Sequence, residues 1–193
     1  VSQSTPTSVE NSNDRLKFSG STNSHDSSTD KPNFTRFNDF ETMKERHGVY
    51  IEKKQWRNLR VGDFVLLKQD DWVPADILLL ACDGENNESY VETMALDGET
   101  NLKSRQPHLE LCKLARSASG LANINAKVTV EDPNIDLYNF EGNLELPGHQ
   151  KGSMVKYPLG PENVIYRGSI VRNTQNSVGM VIFTGEETKI RMN

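Results

Sequence analysis

Large apolar residues are sparse up to residue 33 and then return in short runs. Ile77-Leu78-Leu79-Leu80-Ala81-Cys82 is apolar at every position, the pattern of a strand buried on both faces, and it predicts a central strand. Asp63-Phe64-Val65-Leu66-Leu67, started by Gly62, predicts a second. Tyr90-Val91-Glu92-Thr93, Lys127-Val128-Thr129-Val130, Leu137 to Gly142, Ser169-Ile170-Val171-Arg172 and Val178 to Phe183 predict further short strands. Turns fall at Asp70 to Pro74, at Asp83-Gly84 and at Asn86-Asn87. Residues 143–163 carry Pro147, Gly148, Gly152 and Pro158 and read as a loop or irregular hairpin. Helical spacing is found in Leu109 to Ala122, where Leu111, Leu114, Ala115 and Ala118 share a face and Gly120 supplies a stop. A weaker stripe, Phe37, Phe40 and Met43, ends at Gly48. Many short strands with one helical insertion predict a mainly β domain, a β-sandwich or distorted jelly roll.

The first 33 residues are rich in Ser, Thr, Asn and Gln, and only Val1, Val9, Leu16 and Phe18 are large and apolar. Such a stretch buries too little surface to offset its chain entropy, so it is expected to be a disordered linker. The domain proper is expected over 34–193, with its core from about 60 to 193. The basic stretch Lys53-Lys54-Gln55-Trp56-Arg57 reads as a solvated face with Trp56 half buried.

The 193 residues hold 22 Lys plus Arg against 27 Asp plus Glu, a net charge of −5. A nucleic-acid binder needs the opposite balance, so no nucleic-acid partner is expected. The longest apolar run is far short of the roughly 20 residues that span a bilayer. No apolar segment of signal-peptide type follows Val1. Cys82 and Cys112 are too few for a disulfide framework or a four-ligand zinc site and read as reduced, partly buried thiols. These features predict a cytosolic, soluble piece.

The chemistry concentrates in Glu92-Thr93-Met94-Ala95-Leu96-Asp97-Gly98-Glu99-Thr100-Asn101-Leu102-Lys103. Asp97-Gly98-Glu99-Thr100 is expected to be a turn directly after a strand, with both carboxylates pointing outward. Gly98 permits a tight turn and close approach of another surface. A carboxylate on a loop carried by a rigid core can be delivered to a partner, although Asp-Gly is equally a common hairpin turn.

Four segments occur in one order: Gly62-Asp63, Val73-Pro74-Ala75-Asp76, Leu96 to Lys103, and Thr184-Gly185-Glu186-Glu187-Thr188-Lys189. In this the sequence resembles the actuator domain of P-type ATPases. Asp-Gly-Glu-Thr, in place of the Thr-Gly-Glu-Ser of cation pumps, is similar to the type IV subgroup, the phospholipid flippases. Arg167-Gly168-Ser169-Ile170-Val171-Arg172-Asn173-Thr174 resembles that subgroup too, as does Glu131-Asp132-Pro133-Asn134 followed by Leu137, Tyr138 and Phe140. Thr184-Gly185-Glu186 matches the cation-pump motif literally, but it falls where the family leads into a membrane helix and reads as a turn.

The resemblance implies a distorted jelly-roll actuator that moves as a rigid body and pulls on membrane helices. Glu99 is the implied catalytic carboxylate, orienting water against an aspartyl-phosphate made on a separate domain. Gly98 would allow close approach, and Asp97 and Thr100 would fix the turn by hydrogen bonds to backbone. No metal or cofactor is implied for this piece; ATP and Mg²⁺ serve the full-length enzyme. The implied partners are the phosphorylation domain, the membrane helices, a phospholipid substrate and an accessory subunit. The implied place is the cytosolic face of a Golgi, endosomal or plasma membrane. Two other readings stand beside it: a non-catalytic β-sandwich interaction module, and the actuator of a cation pump.

Overall fold

The chain is described by a computed structural model. It describes residues 55–148, 150 and 152–193, and the backbone of 14–18 and 49–53. Its strands, in chain order, are β1 (Asp14–Phe18), β2 (Val49–Lys53), β3 (Phe64–Lys68), β4 (Asp76–Cys82), β5 (Ser89–Glu92), β6 (Lys103–Arg105), β7 (Lys127–Val130), β8 (Gly142–Pro147), β9 (Met154–Leu159), β10 (Val164–Ile165), β11 (Ile170–Arg172) and β12 (Asn176–Phe183). They form antiparallel sheets ordered β10-β4-β12-β3, β11-β5-β6 and β7-β8-β9, with β1 paired to β2. The mainly β architecture expected from the hydrophobic pattern is the one adopted.

β4 lies between β10 and β12, and all seven of its residues are buried. Alternation along the strands then separates two apolar clusters. Val65, Leu67, Ile77 and Leu79 join Val91, Ile165 and Val171 on one face. Phe64, Leu66, Leu78 and Leu80 join Leu111, Ala115, Leu144 and Phe140 on the other. The first cluster fastens the β11-β5-β6 sheet to the central sheet, and that sheet carries the acidic loop.

Several sequence expectations are corrected. Of the loop or irregular hairpin expected over 143–163, the hairpin is found, β8 paired regularly with β9, because Leu144 and Leu146 are buried in the core. Pro158 is tolerated there since β9 is an edge strand, where a missing N–H breaks no ladder. The strand expected over Leu137 to Gly142 is instead a loop built on Asp136, which accepts from the amides of Tyr138 and Asn139 at 2.9 and 3.1 Å. The single helix expected over Leu109 to Ala122 is two, Leu109–Ala115 and Ala118–Ala122, and Gly120 lies inside the second. Ser117 interrupts them, its hydroxyl accepting the Gly120 amide at 3.0 Å. β1 falls inside the stretch read as a disordered linker; the remainder of 1–33, and the stripe of Phe37, Phe40 and Met43 with Gly48, lie outside the described residues. Trp56 is half buried and Cys82 and Cys112 are free thiols, as expected, but both thiols are fully rather than partly buried.

Candidate functional site: an acidic turn between two strands

β5 and β6 pair through Ser89 with Arg105, Tyr90 with Ser104 and Val91 with Lys103. On its other side β5 pairs with β11, where Arg172 donates to Glu92 at 3.1 Å and also pairs with Asp70. The loop from Thr93 to Leu102 therefore leaves and re-enters a sheet held from both sides.

The chain turns at once into a short helical turn, Met94–Asp97. Thr93, buried at its start, donates its hydroxyl to both carboxylate oxygens of Asp97 at 3.1 and 3.0 Å. Gly98 closes the turn in the left-handed region, φ 74° and ψ 1°, its amide donating to the Met94 carbonyl at 3.0 Å. That conformation favours glycine. A Cβ added at Gly98 would meet nothing within 4 Å, so the turn presents open space to whatever approaches it.

The Glu99 amide then donates to Asp97 Oδ1 at 3.0 Å, and Lys103 Nζ donates to Asp97 Oδ2 at 2.6 Å. The two carboxylates are thus unequal. The Asp97 side chain is 6% exposed and the Glu99 side chain 47%. This corrects the expectation that both point outward: Asp97 turns inward because Thr93, Lys103 and the Glu99 amide all converge on it. Thr100 is exposed, and its side chain makes no hydrogen bond among the described residues, so the anchoring expected of it falls to Asp97 and Thr93.

Burial alone would push the Asp97 carboxyl up. The Lys103 ammonium, the Glu99 amide and the Thr93 hydroxyl outweigh it and hold Asp97 below the usual carboxylate range. Burial would likewise pull Lys103 down, but Asp97 and Glu99 raise it. Lys103 Nζ also lies 3.0 Å from Glu99 Oε2 and 5.6 Å from the centroid of the Tyr138 ring. The i,i+4 spacing of Thr93 with Asp97, across the start of the helical turn, was the available sequence signal for that pair; Glu99 and Lys103 lie outside any helix, where the spacing carries no such signal.

The remaining motifs converge on a buried network. Asp76 accepts the Arg167 amide at 2.8 Å and the Lys189 amide at 2.9 Å. The Lys189 ammonium, on a side chain 1% exposed, donates to Glu131 at 2.9 Å and to Asn134 at 2.6 Å. Segments far apart in sequence are thus joined by charge and amide pairing. Glu186 of the Thr184-Gly185-Glu186 match lies in a short 3₁₀ turn and is bound by the Arg191 guanidinium, Nη2 to Oε1 being 2.8 Å. Among the described residues no three His, Cys, Asp or Glu side chains form a metal-ligating group. No helix among them is long and apolar enough to cross a membrane.

The β scaffold thus holds one exposed carboxylate, Glu99, on a braced acidic turn. The P-type ATPase actuator domain family matches residues 40–137, just over half of the chain, and the chain belongs to that family. It is 76% identical over 159 residues, 82% of its length, to the probable phospholipid-transporting ATPase DNF3 of Saccharomyces cerevisiae. It is 45% identical over 71% of its length to the phospholipid-transporting ATPase dnf1 of Schizosaccharomyces pombe, and 43% over 74% to the probable phospholipid-transporting ATPase 12 of Arabidopsis thaliana. The matches cover 10%, 8% and 12% of those relatives, so the chain spans about a tenth of their length.

Proposed function

We propose that the chain is the actuator of a phospholipid-transporting P-type ATPase and that Glu99 drives breakdown of its phosphoenzyme. The observation that carries this is the asymmetry of the acidic turn: Asp97 is spent on holding the backbone, while Glu99 stands 47% exposed beside an open Gly98. In the step, water attacks phosphorus, the bond between phosphorus and the aspartate oxygen breaks, and the water proton passes to Glu99. Inorganic phosphate leaves, and the aspartate carboxylate is restored. A placed carboxylate contributes roughly 10²–10⁴-fold to such a proton transfer. ATP and Mg²⁺ act on the phosphorylation domain and not on this one.

Coupling follows from contact in one state only. The turn meets the phosphorylated domain in that state, and the domain rotates as a body with the membrane helices joined to it, at the cytosolic face. Lipid moves from the outer or luminal leaflet to the cytosolic one, and an accessory subunit completes the assembly. The names of the relatives support phospholipid over cation as cargo, and family membership supports an actuator over a bare interaction module.

The test is Glu99→Gln in the full-length enzyme. Phosphoenzyme should form from ATP and decay roughly 10²-fold or more slowly. Decay at the wild-type rate removes Glu99 from the mechanism.

A further inference from the structure

Among the described residues, Lys103 is the one side chain that touches both carboxylates of the turn, and it does so from a fixed base. Its backbone sits in β6 opposite Val91, which is fully buried. Its ammonium lies 2.6 Å from Asp97 and 3.0 Å from Glu99, over the Tyr138 ring. We propose that Lys103 is a positioning residue for phosphoenzyme hydrolysis: it locks the Asp97 anchor and holds the Glu99 carboxylate, as a replaceable second partner, in the place from which it meets water. This rests on the reading of Glu99 given above.

The two contacts differ in the way the role requires. The Asp97 pair is shorter and shielded, with Asp97 also held by Thr93 and the Glu99 amide. The Glu99 pair is longer and half exposed. When the turn docks, Glu99 can leave the ammonium for water while the Asp97 pair still fixes the backbone. A free glutamate side chain loses rotamer freedom when it is fixed, and Lys103 makes that ordering before the partner arrives.

The ammonium also sets the charge balance. The groups facing Glu99 and Lys103 are Asp97 on the turn and Tyr138 from the Asp136 loop, with the half-buried Arg105 guanidinium acting on Asp97 as a further cation. Removing Lys103 leaves two carboxylates two residues apart with no cation between them. Their repulsion then drives the Glu99 carboxylate from the place the ammonium gave it.

The experiment follows phosphoenzyme decay in the full-length enzyme for wild type, Lys103→Met, Lys103→Arg and Glu99→Gln. Lys103→Met should decay about tenfold more slowly. Lys103→Arg keeps the charge and should stay within about threefold of wild type. Wild-type decay in Lys103→Met overturns the proposal. So does equal slowing in both variants, which is what a merely structural lysine gives. If Lys103→Met does not yield phosphoenzyme, Lys103→Arg decides: a tenfold loss overturns the proposal, and near-native decay supports it. Wild-type decay in Glu99→Gln is a separate result, since it overturns the Glu99 reading itself.

Discussion

The Glu99 amide donates to the carboxylate of Asp97 at 3.0 Å, so the buried acid of the turn shapes the backbone that presents the exposed one. Asp97→Ala removes that acceptor together with the partners of Thr93 and Lys103. Hydrogen bonds to a charged group contribute about 1.5–3 kcal/mol, and loss of this cluster should destabilise the chain by about that amount in urea unfolding. Asp97→Asn keeps an oxygen for the Glu99 amide and loses the ion pair, so it should fall between wild type and Ala. Equal stability of all three proteins would show that the cluster does not hold the turn.

Gly98 separates the needs of this domain from those of its partner. Its φ of 74° strains an alanine by about 1–2 kcal/mol. The added methyl meets nothing inside the domain, so Gly98→Ala should cost the chain no more than that strain. On the proposed mechanism, the same methyl stands where the phosphorylated domain approaches in the full-length enzyme. Phosphoenzyme decay should slow well beyond what the small stability loss explains, by about tenfold or more. A variant that is modestly destabilised but decays at the wild-type rate would mean that nothing packs against this face.

The central strand was legible because burial on both faces leaves a one-dimensional mark: every residue from Ile77 to Cys82 is apolar, and β4 is the middle of its sheet. The acidic turn was legible as a motif, and Glu99 as its exposed member. The inward direction of Asp97 was not, because it depends on Lys103 arriving from the next strand, and β6 is three polar residues with no alternation to announce it. β10 is two residues long and equally silent. The Asp136 loop read as a strand because Leu137, Tyr138 and Phe140 are strand-forming types. Asp136 instead captures two backbone amides that a ladder would have used. The meeting of Asp76, Arg167, Lys189 and Glu131 joins residues more than fifty positions apart, which no local pattern encodes.

Asp76 makes a pH-dependent contribution to stability of unusual sign for a carboxylate. Its side chain is fully buried, and burial raises it to about 6, against the opposing pull of the Arg167 and Lys189 amides. The folded state therefore binds this proton more tightly than the unfolded chain, whose aspartates titrate near 3.9. The stabilisation is fully present below the unfolded value and is lost as pH rises from about 4 through 6. That difference in proton affinity corresponds to on the order of 3 kcal/mol. Asp97 and Glu131, held low by their lysines, act in the opposite direction: their stabilisation is fully present above the unfolded values near 4 and is lost as pH falls below them. Those contributions are common to wild type and Asp76→Asn and cancel in their difference. Asparagine carries no charge at any of these pH values and leaves one of the two amides without an acceptor, a loss of about 1–3 kcal/mol that does not vary with pH. The stability of wild type minus that of Asp76→Asn should thus fall steadily between pH 4 and 6.5 and then flatten. Urea midpoints of the two proteins at half-unit steps across that range measure it, and parallel curves would show that Asp76 titrates at its ordinary value despite its burial.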